Sequence, residues 1–179
     1  MNRALRNKPG PDTQTKDFFD VYGGERIAHL TRLCARGFNR SLTRRLAHHG
    51  VSFGQWVFLR ILWKEEGLTQ RELSERANLT EPTVHTAMNK LEQQGIVTRR
   101  TEDGNKRKQH VYLTAEGMAL QKVLEPLAVQ ANETALQGLS EAEEAQLKHA
   151  LIVILQNLAA DEIQAEARGE RVPPTRGNV

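Results

Sequence analysis

Residues 69–94, TQRELSERANLTEPTVHTAMNKLEQQ, carry two helix-start signals in close succession. Thr69 stands three residues before Glu72, the capping-box spacing in which the hydroxyl accepts a backbone N–H and the carboxylate reaches back. Thr80 occupies an N-cap position before a second helical pattern. Two short helices joined by so tight a turn are typical of a helix-turn-helix, whose second helix lies in the DNA major groove while the first braces it.

The segment that follows predicts a β-hairpin with a basic loop. Strand-like sequence occupies residues 96–100 and 109–113, and residues 101–108 connect them. Residues 97–113 contain five basic and two acidic side chains, and their net charge of +3 equals that of the whole 179-residue chain. Such a local concentration of positive charge favours binding to the phosphate backbone or in the narrow minor groove of DNA. A basic loop alone is more often a solvated surface, but directly after two short helices it predicts a winged helix-turn-helix.

Start and stop signals also divide the rest of the chain. Ser52 with Gln55 and Ser140 with Glu143 form further capping boxes, and Thr114 is another N-cap. Helix stops are expected at four glycines, namely Gly50, Gly67, Gly95 and Gly138. The predicted helices are 25–49, 53–66, 70–77, 81–94, 115–137 and 141–166. The predicted fold class is mainly α with one β-hairpin. A winged helix-turn-helix domain (51–114) is flanked by N- and C-terminal dimerisation helices (17–50 and 115–167). A flexible basic tail is expected at 1–16 and a second flexible tail at 168–179.

The terminal helices predict a dimer. In the last helix, Ile152, Val153 and Leu155 widen the apolar surface beyond what one packing face needs. Excess apolar surface on helices that flank a small domain indicates a dimerisation layer. The alternative is that these helices close a monomeric core.

Composition and motifs exclude several classes of protein. The fractions of hydrophobic (39%) and charged (26%) residues fit a soluble globular protein, and the longest apolar run, residues 150–155, is far below the ~20 residues that span a bilayer. The N-terminus lacks the apolar region of a secretory signal, so a cytoplasmic location is expected. The single Cys34 allows no intramolecular disulfide. There is no catalytic constellation, no phosphate loop and no ligand cluster at metal spacing, so no enzyme activity, cofactor or metal is expected.

Three stretches resemble the MarR (multiple antibiotic resistance regulator) family of winged helix-turn-helix transcription regulators. They are VSFGQWVFLRILW (51–63), GLTQRELSERANLTEPTVHTAMNKLEQQGIVTRR (67–100) and NKRKQHVYLTAEG (105–117). The resemblance implies a homodimer bound to pseudo-palindromic double-stranded DNA. It also implies release of that DNA when a small aromatic or phenolic acid binds between the dimerisation and DNA-binding layers.

The resemblance also assigns residues to the DNA interface. Family members commonly have Arg where this chain has Thr86, and a wing Asp where it has Asn105, whereas Arg107 matches the wing-tip arginine. The expected DNA-binding residues are Thr69, Thr80, Thr83, His85, Thr86, Asn89, Lys90, Arg99, Asn105, Lys106, Arg107 and Lys108.

An effector pocket is expected where aromatic residues are concentrated, between residues 38 and 63. The arginines Arg32, Arg36, Arg40 and Arg44 form a stripe at i+4 spacing, from which a bidentate contact to a carboxylate is available. The candidate effector-binding residues are His29, Arg36, Asn39, Arg40, Phe53 and Trp56, and the expected effector is an aromatic acid or its thioester. The alternatives are that Phe53 and Trp56 are core residues and that the stripe is solvated or raises the positive potential toward DNA.

Two other functions are compatible with the sequence. One branch of the family senses organic hydroperoxides through a cysteine in its first helix. Cys34 lies closer to the start of the second helix than the cysteine of that branch does, so Cys34 is expected to be a buried apolar residue. A winged helix that binds protein rather than DNA is compatible with the fold, although the basic wing disfavours it.

Overall fold

The structure is a computed structural model that describes residues 18–102 and 105–172, with the backbone alone for residues 102 and 105–108. The expectations for the tail at 1–16, and for 173–179 of the second tail, lie outside the described residues. The chain divides into two compact units, residues 1–40 and 41–179.

Six helices and three strands make up the fold. The helices are α1 (Ile27–Ala47), α2 (Phe53–Leu62), α3 (Gln70–Ala77), α4 (Glu81–Gln93), α5 (Ala115–Leu136) and α6 (Glu141–Ala167), and the strands are β1 (Leu68–Thr69), β2 (Val97–Glu102) and β3 (Asn105–Leu113). The predicted fold class, mainly α with a winged helix-turn-helix, is confirmed. None of the described helices is long and apolar enough to cross a membrane.

Side-chain caps begin most helices where the sequence predicts them. The three capping boxes form with both hydrogen bonds, at Ser52–Gln55, Thr69–Glu72 and Ser140–Glu143. Thr114 accepts the N–H of Gly117. Thr80 occupies its predicted N-cap position, but it makes no side-chain capping bond. The four predicted glycine stops all have positive φ: Gly50, Gly67, Gly95 and Gly138.

The sheet is larger than the predicted hairpin. β1 adds a third strand, pairing Leu68 with Val111 in the order β1-β3-β2. The pairing of β2 with β3 continues to Glu102 and Asn105, with a register shift after Thr101, so the expected loop at 101–108 was too long. The helix predicted to end at residue 66 ends at Leu62, because Gly67 must donate its N–H to the Val111 carbonyl at 2.8 Å.

The core of the second unit lies between α2, α3, α4 and the sheet. Its fully buried side chains include Phe58, Leu59, Leu62, Leu73, Val84, Met88, Leu91 and Val111. The indole N–H of Trp63 donates to the carbonyl of Gly117 at 2.9 Å and joins α2 to α5. A Cβ on Gly117 would collide with the carbonyl oxygen of Ile96, so this junction requires glycine.

No residue of α6 is buried in the described chain. Its apolar side chains are exposed instead, among them Leu147, Leu151, Ile152, Ile154, Leu155, Leu158 and Ile163.

Candidate nucleic-acid interface

The helix-turn-helix places one face of α4 in the core and leaves the other open. Val84, Met88 and Leu91 are buried, and their helical spacing fixes the rotation of the helix. The turn before α4 is made by Asn78, the one described non-glycine residue with positive φ, at 52°. The hydroxyl of Ser74 donates to the carbonyl of Leu79 across this turn. The exposed face therefore has a fixed orientation and carries four of the expected residues, Thr83, His85, Thr86 and Lys90.

The threonine hydroxyls at this interface already have partners. Thr86 donates to the Pro82 carbonyl at 2.9 Å, so its methyl group and its oxygen lone pairs remain for a ligand. The Thr80 and Thr83 hydroxyls lie 3.0 Å apart, which accounts for the missing cap at Thr80. Thr69 is half-buried and is held within the capping box of α3.

Glu72 closes that capping box as an ionised acceptor. It accepts the Thr69 N–H and the Thr69 hydroxyl, each at 2.7 Å. These bonds, the backbone one first, hold the pKa of Glu72 below its ordinary value. The same physical cause, with the Ser140 hydroxyl first, lowers the pKa of Glu143 at the start of α6.

A hydrogen-bonded relay links α4 to β2. Arg99 donates to Asn89 Oδ1 at 2.6 Å, and Asn89 Nδ2 lies 3.2 Å from His85 Nδ1. Arg99 Nε is 3.7 Å from Glu92 Oε2, and the arginine side chain is only 12% exposed. Arg99 and Asn89 therefore contact each other, which the sequence analysis did not anticipate. Glu92 was missed as well, although its position three residues after Asn89 places both on neighbouring parts of one helix face.

The exposed base of the hairpin carries a second arginine that the sequence analysis did not select. Arg100 lies over the ring of Tyr112, 4.9 Å from its centroid, a cation–π contact that holds the guanidinium beside the sheet. The side chains of Asn105, Lys106, Arg107 and Lys108 lie outside the described residues, so their expected DNA contacts stay predictions.

The candidate effector residues fall in the two separate units. In the first unit Arg36 and Arg40 are exposed, and Asn39 is half-buried. His29 Nδ1 lies 3.0 Å from Arg32. These two residues line a surface pocket of about 460 Å³ together with Gly24, Glu25, Arg26 and Ala28. All four arginines of the stripe are exposed, as the solvated alternative requires.

The two aromatic candidates belong to the second unit. Trp56 is only 4% exposed, and its ring packs edge-on against Trp63 with centroids 5.5 Å apart. Phe53 is half-buried and packs against the core. The alternative that these residues are core therefore fits Trp56, whose ring offers no free face to a ligand.

Cys34 is exposed, so the expectation that it is buried was wrong. Its neighbours Ala35 and Arg36 are also exposed. Helical spacing places Cys34 on the apolar stripe of α1, but an apolar stripe is buried only where another surface covers it. In the described residues there is no group of three or more His, Cys, Asp or Glu side chains that could hold a metal ion.

Comparison with known proteins decides the family. The model of the MarR family matches residues 51–108. The HTH-type transcriptional regulator TtmR of Methylorubrum extorquens is 30% identical over 141 residues, which cover 78% of this chain and 68% of TtmR. This chain belongs to the MarR family. MarR proteins are DNA-binding transcriptional regulators and not enzymes, so the fold and the relatives agree on the class of function.

Two solved structures of MarR proteins are similar to this chain in fold. The Mycobacterium tuberculosis MarR family protein Rv2887, in complex with salicylic acid, is 26% identical with a TM-score of 0.60, over 72% of this chain and 96% of that one. A putative MarR family regulator from Listeria monocytogenes, complexed with 26mer DNA, is 22% identical with a TM-score of 0.68, over 83% of this chain and 99% of that one. The second likeness shows the fold alone.

Proposed function

We propose that this MarR protein is a homodimeric repressor that binds a pseudo-palindromic operator in the cytoplasm. Each subunit lays α4 in the major groove and the basic hairpin along the adjacent backbone or minor groove. The observation that carries the proposal is the fixed, exposed polar face of α4 beside β2 and β3, where the chain's excess positive charge is concentrated. The DNA complex of the Listeria protein, which has the same fold, supports it.

The proposal also assigns a function to each segment of the chain. Residues 51–114 form the DNA-binding domain, and the helices within 17–50 and 115–167 form the dimer. The exposed apolar side chains of α6 support this assignment, because contiguous apolar surface on one chain marks an interface. With two copies of α4 related by a two-fold axis, the half-sites lie about one helical turn apart.

Fluorescence anisotropy with the duplex upstream of the protein's own gene tests DNA binding. Wild-type protein should bind this duplex in preference to an equally long scrambled duplex. Thr86→Ala should change the preferred bases, whereas Lys90→Met should weaken binding to all sequences and reduce the salt slope by ~1 per subunit. Equal affinity for both duplexes would contradict a sequence-specific operator, and binding to neither duplex would favour the alternative, a winged helix that binds protein.

We further propose that an aromatic acid, or its thioester, releases the operator. The salicylic acid complex of Rv2887 and the exposed arginine stripe of α1 support a carboxylate ligand. A ligand that binds better when the two recognition helices are wrongly spaced lowers operator affinity by its differential affinity, typically ~1–3 kcal/mol. Of the candidate contacts, His29, Arg36, Asn39, Arg40 and Phe53 remain in the proposal. Trp56 is omitted because its ring is buried.

Calorimetry with sodium salicylate and with benzoyl thioesters tests the effector. Binding to the free protein should weaken when operator DNA is present, because coupling between two sites is reciprocal. Arg36→Met and Arg40→Met should reduce salicylate affinity, while Arg60→Met, an exposed arginine on α2, serves as the matched control. Salicylate binding that leaves operator affinity unchanged would contradict the proposal.

Peroxide sensing is a second candidate function, favoured by the exposure of Cys34. An accessible thiolate is the form that hydroperoxides oxidise. Treatment with cumene hydroperoxide should then release DNA from wild-type protein and not from Cys34→Ser. Equal DNA binding by both proteins after treatment would exclude this function.

A further inference from the structure

We propose that Arg99, acting through Asn89, holds the imidazole of His85 in one tautomer, so that His85 presents an N–H donor to a guanine in the major groove. The inference rests on the proposed function, because it requires α4 to lie in that groove. It assigns Arg99 a positioning role, and it makes His85 a specificity-determining residue of this chain.

The geometry of the relay is continuous from strand to helix. Arg99, on β2, donates to Asn89 Oδ1 at 2.6 Å. Asn89 Nδ2 lies 3.2 Å from His85 Nδ1, one helical turn earlier on α4. Glu92 Oε2, at 3.7 Å from Arg99 Nε, holds the guanidinium from the other side. With its side chain 12% exposed, Arg99 is directed at the helix rather than at solvent.

The chemistry of these groups fixes the direction of each hydrogen bond. A guanidinium has donors only, so the Asn89 atom that faces Arg99 must be its oxygen. The other Asn89 atom is then the amide nitrogen, which also only donates. His85 Nδ1 must therefore accept, and in a neutral imidazole the ring proton then resides on Nε2. No described residue accepts a hydrogen bond from Nε2, and His85 is exposed.

A single fixed donor selects among bases. In the major groove guanine presents two acceptors, N7 and O6, and thymine presents one, O4, beside its methyl group, whereas cytosine presents an amino donor and adenine sets an amino donor beside its N7. An outward Nε2–H therefore favours guanine, which has two acceptors, over cytosine and adenine. One neutral hydrogen bond of this kind gives a discrimination of about fivefold.

The first experiment uses the free protein and needs no DNA. Proton–nitrogen correlation spectra of protein carrying ¹⁵N-histidine, at pH 8, should show His85 with its proton on Nε2. The two tautomers should mix in Arg99→Met, which keeps the length of the side chain and removes its donors. Arg100→Met is the matched control, because Arg100 lies over Tyr112; its spectrum should match that of the wild type. A wild-type ring protonated on Nδ1 would overturn the inference.

The second experiment selects binding sequences from a library of random 30-base-pair duplexes. Wild-type protein should enrich guanine at one position of each half-site, and His85→Ala should lose that preference alone. Arg99→Met should lose most of the same fivefold preference, and Arg100→Met should keep it. In the wild-type site, 7-deazaguanine at that position should weaken binding, because it lacks the N7 acceptor.

Asn89→Asp supplies a test that does not depend on how well Arg99→Met folds. A carboxylate only accepts, so it should move the His85 proton to Nδ1 and leave Nε2 as an acceptor. At a pH where the ring is neutral, selection should then shift from guanine toward a base with an amino donor, cytosine or adenine.

The selection experiment distinguishes failure of the proposed function from failure of the inference about His85. If wild-type protein enriches no sequence, the proposed function and this inference both fail. If it enriches a sequence in which no guanine position responds to His85→Ala or to Arg99→Met, the inference fails while the proposed function stands.

Discussion

Among individual residues, Gly117 is constrained by contacts that are absent from the local sequence pattern. Gly117 follows its N-cap Thr114 as an ordinary first-turn residue, yet its α-carbon lies against the carbonyl of Ile96. The same residue accepts the indole N–H of Trp63 through its own carbonyl. One glycine thus allows α5 to pack closely on the strand entry and on α2.

Gly117→Ala should lower the free energy of unfolding by about 1–3 kcal/mol, the usual cost of overpacking a tight contact. Gly54→Ala is the matched control, since a Cβ there meets nothing within 4 Å, and alanine is the better helix former by up to about 1 kcal/mol. Chemical denaturation at one fixed protein concentration measures both. If Gly117→Ala has the wild-type free energy of unfolding, the contact between residue 117 and Ile96 adjusts without destabilising the protein.

At the element scale, capping boxes determine where helices begin. The boxes at Ser52, Thr69 and Ser140 could be predicted because the required residues lie within one turn of each other. The end of α2, in contrast, depends on a distant partner. α2 stops at Leu62 because Gly67 bonds Val111, a residue far along the chain.

The capping box of α3 should make stability depend on pH. The pKa of Glu72 is lowered in the folded protein, so its contribution is fully present above its unfolded pKa, near 4.5, and is lost as the pH falls through the folded value. The difference in unfolding free energy between wild type and Glu72→Gln should therefore be constant from pH 8 to about pH 5 and shrink below that. Denaturation curves between pH 3 and 8 measure it.

Glu143→Gln should behave in the same way, because the pKa of Glu143 is lowered by the equivalent bonds in α6. A stability difference that does not change with pH for either variant would contradict the assignment of these carboxylates as ionised caps.

The basic hairpin gives a prediction for binding. Arg107→Ala should weaken DNA binding across sequences and flatten its salt dependence by a slope of ~1 per subunit, if one phosphate contact is lost. Anisotropy titrations at several salt concentrations measure the slope, and circular dichroism checks folding. Gln109→Ala, an uncharged change in the same strand, should leave the slope unaltered. A folded Arg107→Ala protein with the wild-type slope would refute the wing assignment.

At the scale of the whole molecule, charge and apolar surface are segregated. The net charge of +3 is contained in residues 97–113, so the rest of the chain is neutral overall. The large apolar side chains that are exposed to solvent in the single chain are concentrated on α5, α6 and the N-terminal segment. The basic hairpin is therefore suited to binding a polyanion, and the exposed apolar residues of α6 are suited to association.

Leu155→Asp should shift the protein toward a monomer. Leu155 is 66% exposed in the single chain, and burying an unpaired charge in a dimer interface costs about 3–5 kcal/mol, or at least a hundredfold in the dissociation constant. Gln156→Asp adds the same charge at the next, polar position and should remain dimeric. Sedimentation equilibrium distinguishes them. A Leu155→Asp protein that stays dimeric would place the interface elsewhere.

The elements that depend on local chemistry could be predicted from the amino-acid sequence. Capping residues, glycine stops and the cluster of basic side chains act within a few neighbours, so the helix-turn-helix and the hairpin could be predicted from residues 69–113. Features that depend on residues far apart in the chain follow only from the packing of the folded protein. β1 became a strand because β3 offered it a free edge. Trp56 became a core residue because Trp63 and the helices around it exclude solvent. Arg99 became a partner of Asn89 because packing sets β2 against α4, a proximity that no local pattern encodes.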